Sequence, residues 1–314
     1  MSEPGRLKRS LRLLQVSLRV IAVHPRLAVF PLASAALGLV VLLVFLGPLL
    51  AAGPAAGGWG DPAHWHELVR HAVDAFRPWQ ARGVFPWAAS LRVLGLYLAA
   101  MFGATFLNVA FYHEIIEVLA GGRVSLRRGF ASAVRRLGAI LAWTLFASSV
   151  GFVLRLATER FGFVGRLFLG AAGFSWSVAA VFVVPVLLRE TGANPVRFLR
   201  LSTATVARTW GEFVTGYVGV KLFPLLLLAL LFPAAVLLPH VGTVHLGRPL
   251  LEALAVAWTA AYLGTAIVAG AVNAIFRCAL YVYASEGAIP QPFTPEMLDA
   301  AWKVGKPLRG PASD

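Results

Sequence analysis

The side chains able to do chemistry in this chain fall into two groups, and their spacing says what each could do. The first group joins three apolar runs. Asn108, His113, Glu114 and Glu117 lie near the end of one, Glu212 and Lys221 at the start of a second, and Asn273 and Arg277 near the end of a third. At a helical rise of about 1.5 Å per residue these positions come to matching depth, so two acids stand level with two bases. If the runs cross a bilayer, a charge inside it costs about 2.5–3.5 kcal/mol on insertion scales and needs a partner or an exit. Two readings follow: interhelical ion pairs that fix helix register, or a polar vestibule open to the cytoplasm that holds an ion or a lipid headgroup. Arg277 keeps its proton in any setting and is therefore assigned a carboxylate, Glu117 first and Glu114 second.

The second group lies between the first two runs. Asp61 and Pro62 open a helix on which His64, Glu67, His71 and Asp74 share one face, with Trp65, Val69, Ala72 and Phe76 on the other. Imidazole and carboxylate at that spacing could hold zinc or sense pH; the alternative is the wet face of a helix lying on a membrane surface. One helix seldom completes a metal site, so His240 or His245 would have to join. His113-Glu114-Ile115-Ile116-Glu117 lacks the second histidine of a zinc-protease helix. No phosphate-cradling glycine loop, serine nucleophile elbow or water-facing carboxylate pair stands in the chain. A single cysteine, Cys278, excludes an intrachain disulfide. Apart from the zinc option, no cofactor is expected, and the chemistry leans away from an enzyme.

The elements that must position these residues are membrane helices. Of 314 residues 59% are hydrophobic and 13% charged, and the mean hydropathy is +0.76. An average soluble domain is about a quarter charged, which excludes an ordinary soluble enzyme, and such greasiness excludes disorder. Six runs are long enough to cross a bilayer, at about 27–52, 91–119, 138–158, 163–188, 213–239 and 250–284. Gly53-Pro54, Gly121-Gly122, Arg160–Gly162, Asn194-Pro195 and Pro239-His240 punctuate them. Arginines recurring to Arg19 and Arg26, before a long apolar run, argue against a cleavable signal peptide. With the N-terminus inside, 18 basic residues fall on the cytoplasmic pieces and six on the outer ones. Both termini are therefore expected in the cytoplasm.

Three cytoplasmic segments repeat one amphipathic pattern. Leu7, Leu11, Leu14, Leu18 and Ile21 form a stripe in the first. Ser125 caps a second, striped by Leu126, Phe130, Val134 and Leu137. Asn194 caps a third, striped by Val196, Leu199, Val206 and Trp210. Such helices are expected in the headgroup plane, with Arg12, Arg19, Arg127, Arg128, Arg135, Arg136, Arg197, Arg200 and Arg208 toward anionic lipid. Calmodulin or nucleic-acid binding is the weaker alternative, and no nucleic-acid partner is assigned. The fold expected is all-α: a polytopic transmembrane bundle of six spans, with in-plane helices on its cytoplasmic face. Residues 1–26 form the basic N-terminal helix, 27–285 the six-span domain and 286–314 a cytoplasmic tail. Small-residue ladders at Ala266, Gly270 and Ala274, and at Gly216 and Gly219, suit close packing within the bundle or between protomers without choosing an oligomeric state.

The stretch from Asn108 through Gly121-Gly122-Arg123-Val124-Ser125 to Arg136-Leu137, the Thr209-Trp210-Gly211-Glu212 tetrapeptide, and Ile275 to Tyr281 carry a resemblance. They resemble an uncharacterised bacterial six-span membrane family known as a domain of unknown function. More loosely, the basic helix followed by a hairpin is similar to the membrane domain of some glycerophosphodiester phosphodiesterases, whose catalytic barrel is absent here. The resemblance implies an integral membrane protein and transfers no activity. The function expected is a bacterial inner-membrane, lipid-binding scaffold or accessory protein. The alternative is a channel or transporter for a small ion, anion or lipid through the inner polar cluster.

Overall fold

The computed structural model describes residues 6–51, 66, 67, 70, 87–160, 163–207 and 248–294, and these are helices and short turns with no strand among them. In chain order they are α1 (Arg6–Val23), a 3-10 turn (Pro25–Ala28), α2 (Val29–Ala51), α3 (Trp87–Leu119), α4 (Leu126–Arg135) and α5 (Leu137–Arg160). Then follow α6 (Phe163–Ala179), α7 (Val183–Arg189), α8 over 195–207, α9 (Arg248–Tyr281) and a π-helical turn (Val282–Glu286). Five stretches are long and apolar enough to cross a membrane: Pro25–Gly47, Leu91–Leu119, Leu137–Leu154, Leu169–Arg189 and Val256–Glu286. They match five of the six expected runs. The sixth, 213–239, lies outside the described residues, as do Gly53-Pro54 and Pro239-His240.

The chain divides into two compact units, 33–104 and the rest. In the first, Gly103 lets α2 and α3 approach, because a Cβ there would stand 2.8 Å from the Leu37 side chain. In the second, the buried residues gather at one end of the helices. Phe30 at the start of α2 stacks on Phe111 of α3 at 5.6 Å and meets Phe130 of α4 at 5.5 Å. Phe182, before α7, meets Tyr281 of α9 at 6.3 Å. The same end is tied by polar contacts. Gln291 N–H donates to the Leu119 carbonyl at 2.9 Å, and Arg189 grips Glu286 with two bonds of 2.7 and 2.9 Å. The start of α2 and α5 and the end of α3, α7 and α9 therefore share one face. Away from it, side chains such as Val153 and Val256 stand exposed, as lipid-facing residues do.

Helix ends follow local chemistry. Gly121 has φ +86°, and Gly122 N–H reaches Glu117 O while Gly121 N–H reaches Val118 O. That is a Schellman stop, and its left-handed residue favours glycine. Ser125 Oγ accepts from Arg128 N–H at 3.4 Å, and Asn194 Oδ1 accepts from Val196 and Arg197 N–H at 3.0 and 3.1 Å. Both caps are the ones the sequence indicates.

The three short basic helices pack small and polar residues against protein and leave part of each expected apolar stripe uncovered. In α1, Ser17 and Val20 are buried while Leu18 is exposed; in α4, Ser132 and Ala133 are buried while Val134 is exposed. In α8, Phe198, Ser202 and Thr205 are buried and Val196 is exposed. The cause is the solvent. Beside lipid an apolar stripe needs no protein cover, and small residues give the closest helix contact.

The fourth crossing is broken between α6 and α7. Pro185 has no N–H to give to the carbonyl of Val181, and its ring crowds that turn. Ser202 of α8 fills the gap: its hydroxyl accepts from Phe182 N–H at 3.0 Å and donates to Ala179 O at 2.5 Å. Ser202→Ala strands both groups in a fully buried place and should cost about 1–3 kcal/mol of stability in reversible detergent unfolding. Ser17→Ala supplies the contrast, since its buried hydroxyl has no hydrogen-bond partner among the described residues; that change should be neutral or slightly stabilising.

Candidate functional site

Glu114 of α3 is the most deeply buried charged side chain described, at 0% exposure. Three residues surround its carboxylate. Arg128 of α4 binds it as a fork, Nε to Oε1 at 3.0 Å and Nη2 to Oε2 at 2.9 Å. Ser125 N–H donates to Oε2 at 2.6 Å, and His113 Nδ1 lies 3.3 Å from Oε1. The carboxylate thus sits at the N-terminal end of α4, where the helix dipole favours an anion, and α4 carries no acid of its own in that turn. The Gly121-Gly122 stop folds α4 back over the end of α3 and makes the meeting possible. Gly129 completes it: a Cβ there would stand 2.9 Å from Glu114 Cγ, 3.0 Å from Ala110 O and 3.1 Å from Phe30 Cζ.

Arg128 also donates through Nη2 to Arg123 O at 2.7 Å, and its Nη1 lies 3.5 Å from Glu117 Oε2. The bond to Glu114 holds the guanidinium pKa above its ordinary value, with burial opposing and the charges of Glu114 and Glu117 adding.

Beside this pair, a cavity of about 570 Å³ opens between the last turns of α3, the α4–α5 junction and the end of α7. His113, Glu117, Arg135, Arg136 and Arg189 are among its walls, and Thr191 to Ala193 close one side. Arg136 caps α7 by donating from Nη1 to Leu187 O at 2.6 Å and Glu190 O at 2.7 Å. Burial lowers its pKa, and the positive charges of Arg135 and Arg189 lower it further. The guanidinium stays charged regardless, so the shift reports crowded positive charge.

The sequence-predicted residues are brought together only in part. His113, Glu114 and Glu117 join, and the base they meet is Arg128. The carboxylate oxygens of Glu114, second choice for Arg277, are engaged by α4 instead. Counting residues along a helix gives depth but not direction. Arg277 and Asn273 lie half-buried on α9, the latter with a buried Oδ1 that has no hydrogen-bond partner, and Asn108 is exposed. Glu212, Lys221 and Arg208 lie outside the described residues. Of the arginines assigned to lipid, Arg19, Arg127, Arg135, Arg197 and Arg200 are exposed, although Arg197 Nε also binds Glu190 at 2.8 Å. Arg128 and Arg136 are half-buried and also donate to protein acceptors. Glu67 pairs with Arg70 at 3.7 Å; His64, His71 and Asp74 lie outside the described residues. Among the described residues no group of three His, Cys, Asp or Glu is placed to hold a metal.

Several long apolar helices, a polar cluster at their shared end and an all-helical chain define a multi-pass membrane protein. A model of a family of unknown function, DUF6159, matches residues 88–290, and the chain belongs to that family. The matched region runs from α3 through the segment after α9, so it contains the Glu114–Arg128 pair and the cavity. No curated protein and no solved structure matches the chain.

Proposed function

We propose that this is a six-span protein of the bacterial inner membrane that binds anionic lipid headgroups on its cytoplasmic face, as a non-enzymatic scaffold or accessory. The observation that carries the reading is the shared face. The ends of the crossings and the short basic helices gather there, and Arg127, Arg135, Arg197 and Arg200 are exposed among them. Basic residues favour the cytoplasmic side and meet its acidic lipids. Parity supports the sixth crossing. α8 is tied to the shared face through Ser202 and Arg197, and α9 ends there. At about 1.5 Å per residue, the 34 residues of α9 begin on the far side. One more crossing between α8 and α9 completes the path, at the apolar run 213–239.

The test is lipid enrichment. Full-length protein extracted from membranes should carry acidic phospholipid above its bulk share. Changing Arg127, Arg197 and Arg200 together to Gln should reduce that enrichment several-fold, and so should raised salt during extraction. Enrichment unchanged by both would overturn the reading. A channel or transporter is the second reading, favoured by the broken crossing at α6–α7, a device common among transporters; ion or lipid flux in proteoliposomes would decide for it.

A further inference from the structure

The cavity beside Glu114 has a charge pattern that names a ligand class. On its walls Arg189 is matched by Glu286 and Glu190 by Arg197, and the neighbouring Arg128 is matched by Glu114. Arg135 makes no hydrogen bond or ion pair among the described residues, and Arg136 bonds only to backbone carbonyls, through Nη1 alone. Against these two guanidiniums stands one carboxylate, Glu117, already 3.5 Å from Arg128. The local excess is therefore one positive charge, with Arg135 and the Nε and Nη2 groups of Arg136 unused.

We propose that this cavity is a discrete binding site for a single phosphodiester monoanion, held by Arg135 and Arg136. Guanidinium donors match phosphate oxygens in geometry. A volume of about 570 Å³ falls in the range of about 300–1,000 Å³ that small-ligand sites occupy. One negative charge balances the excess, whereas a phosphate dianion meets repulsion from Glu117. The phosphodiester could belong to a glycerophospholipid reaching in from the bilayer or to its soluble, deacylated headgroup. The proposal rests on the lipid-binding reading but is narrower: it requires one saturable site, where the exposed girdle requires only additive attraction.

The experiment is calorimetric titration of the full-length protein in neutral detergent. The probes are short-chain phosphatidylglycerol, glycerophosphoglycerol and inorganic phosphate. One molecule of phosphatidylglycerol should bind per chain. Arg135→Glu should weaken it at least about tenfold, the loss of one charge-assisted contact. Arg127→Gln, in the exposed girdle and outside the cavity, should weaken it far less. Equal binding of glycerophosphoglycerol would identify the soluble source; binding of the lipid alone would identify the bilayer. Glu117→Gln adds one positive charge to the balance and should bring inorganic phosphate into measurable binding, an effect that a purely structural Glu117 would not produce. Binding that never saturates, or that falls equally with Arg127→Gln and Arg135→Glu, overturns the site while leaving the girdle standing. Absence of any acidic-lipid enrichment in the previous test removes the girdle instead.

Discussion

Arg128→Met should unfold about 3 kcal/mol more easily than the parent protein. The change leaves the Glu114 carboxylate at 0% exposure with only Ser125 N–H and His113 beside it. Breaking one side of a buried pair costs about 3–5 kcal/mol because a charge is left without compensation. Arg128 is itself 37% exposed, and solvent screening there holds the expectation to the lower end. Most of the loss should be recovered in the double variant Glu114→Leu with Arg128→Met, since no charge is then stranded. Recovery should be incomplete, because the Ser125 amide loses its acceptor at 2.6 Å and an unmatched buried N–H costs about 1–3 kcal/mol. Reversible unfolding in mixed micelles measures all three variants. A double variant as unstable as the sum of the singles would show that the two side chains do not act together.

Gly129→Val should be among the most damaging single changes that add only hydrocarbon. Even its Cβ meets three neighbours at 2.9–3.1 Å, and two of them have nowhere to go. The Ala110 carbonyl belongs to the α3 backbone, and Phe30 is fully buried against Phe111 and Phe130. The third, Glu114 Cγ, can move only by loosening its grip on Arg128. Overpacking of this kind costs about 1–3 kcal/mol, and weakening the ion pair adds to it. Gly138→Ala is the matched control. A Cβ there meets nothing within 4 Å, so the better helix former should be neutral or gain up to about 1 kcal/mol. The same unfolding measurement that ranks Gly129→Val far below Gly138→Ala would separate close approach from general intolerance of side chains at glycine.

What could be read from the sequence was local. Ser125 and Asn194 announce helix starts because a cap acts within three residues, and Gly121-Gly122 announces a stop because only its own backbone has to turn. Apolar length marks five crossings because a bilayer sets one minimum for all of them. Partners were less legible. Glu114 was identified as an acid needing a base, yet Arg277 was matched to it by depth, and depth is blind to which way a helix face points. The signal for Arg128 was present in a different place: an arginine in the first turn of a helix separated by six residues from a helix that ends in a Schellman turn. Such a helix must fold back, so its first turn faces the last turn of the one before. The faces that α1, α4 and α8 turn to protein were not legible for a related reason. Hydrophobic periodicity finds the side that avoids water, and in a membrane that side is free to face lipid.

The separations along the chain put these contacts in an order of time. Glu114 and Arg128 are 14 residues apart, which a ribosome covers in about one to three seconds at 5–20 residues per second. Both partners of the buried acid are therefore synthesised while the chain beyond α4 is still being translated, so this pair needs nothing from later segments to close. The clasp between Arg189 and Glu286 spans 97 residues, and the bond from Gln291 to Leu119 is longer still. Those fastenings wait until α9 has emerged. Assembly thus closes at the same face on which it began, and a nascent chain interrupted before residue 286 would carry a quiet first half with its last latch open.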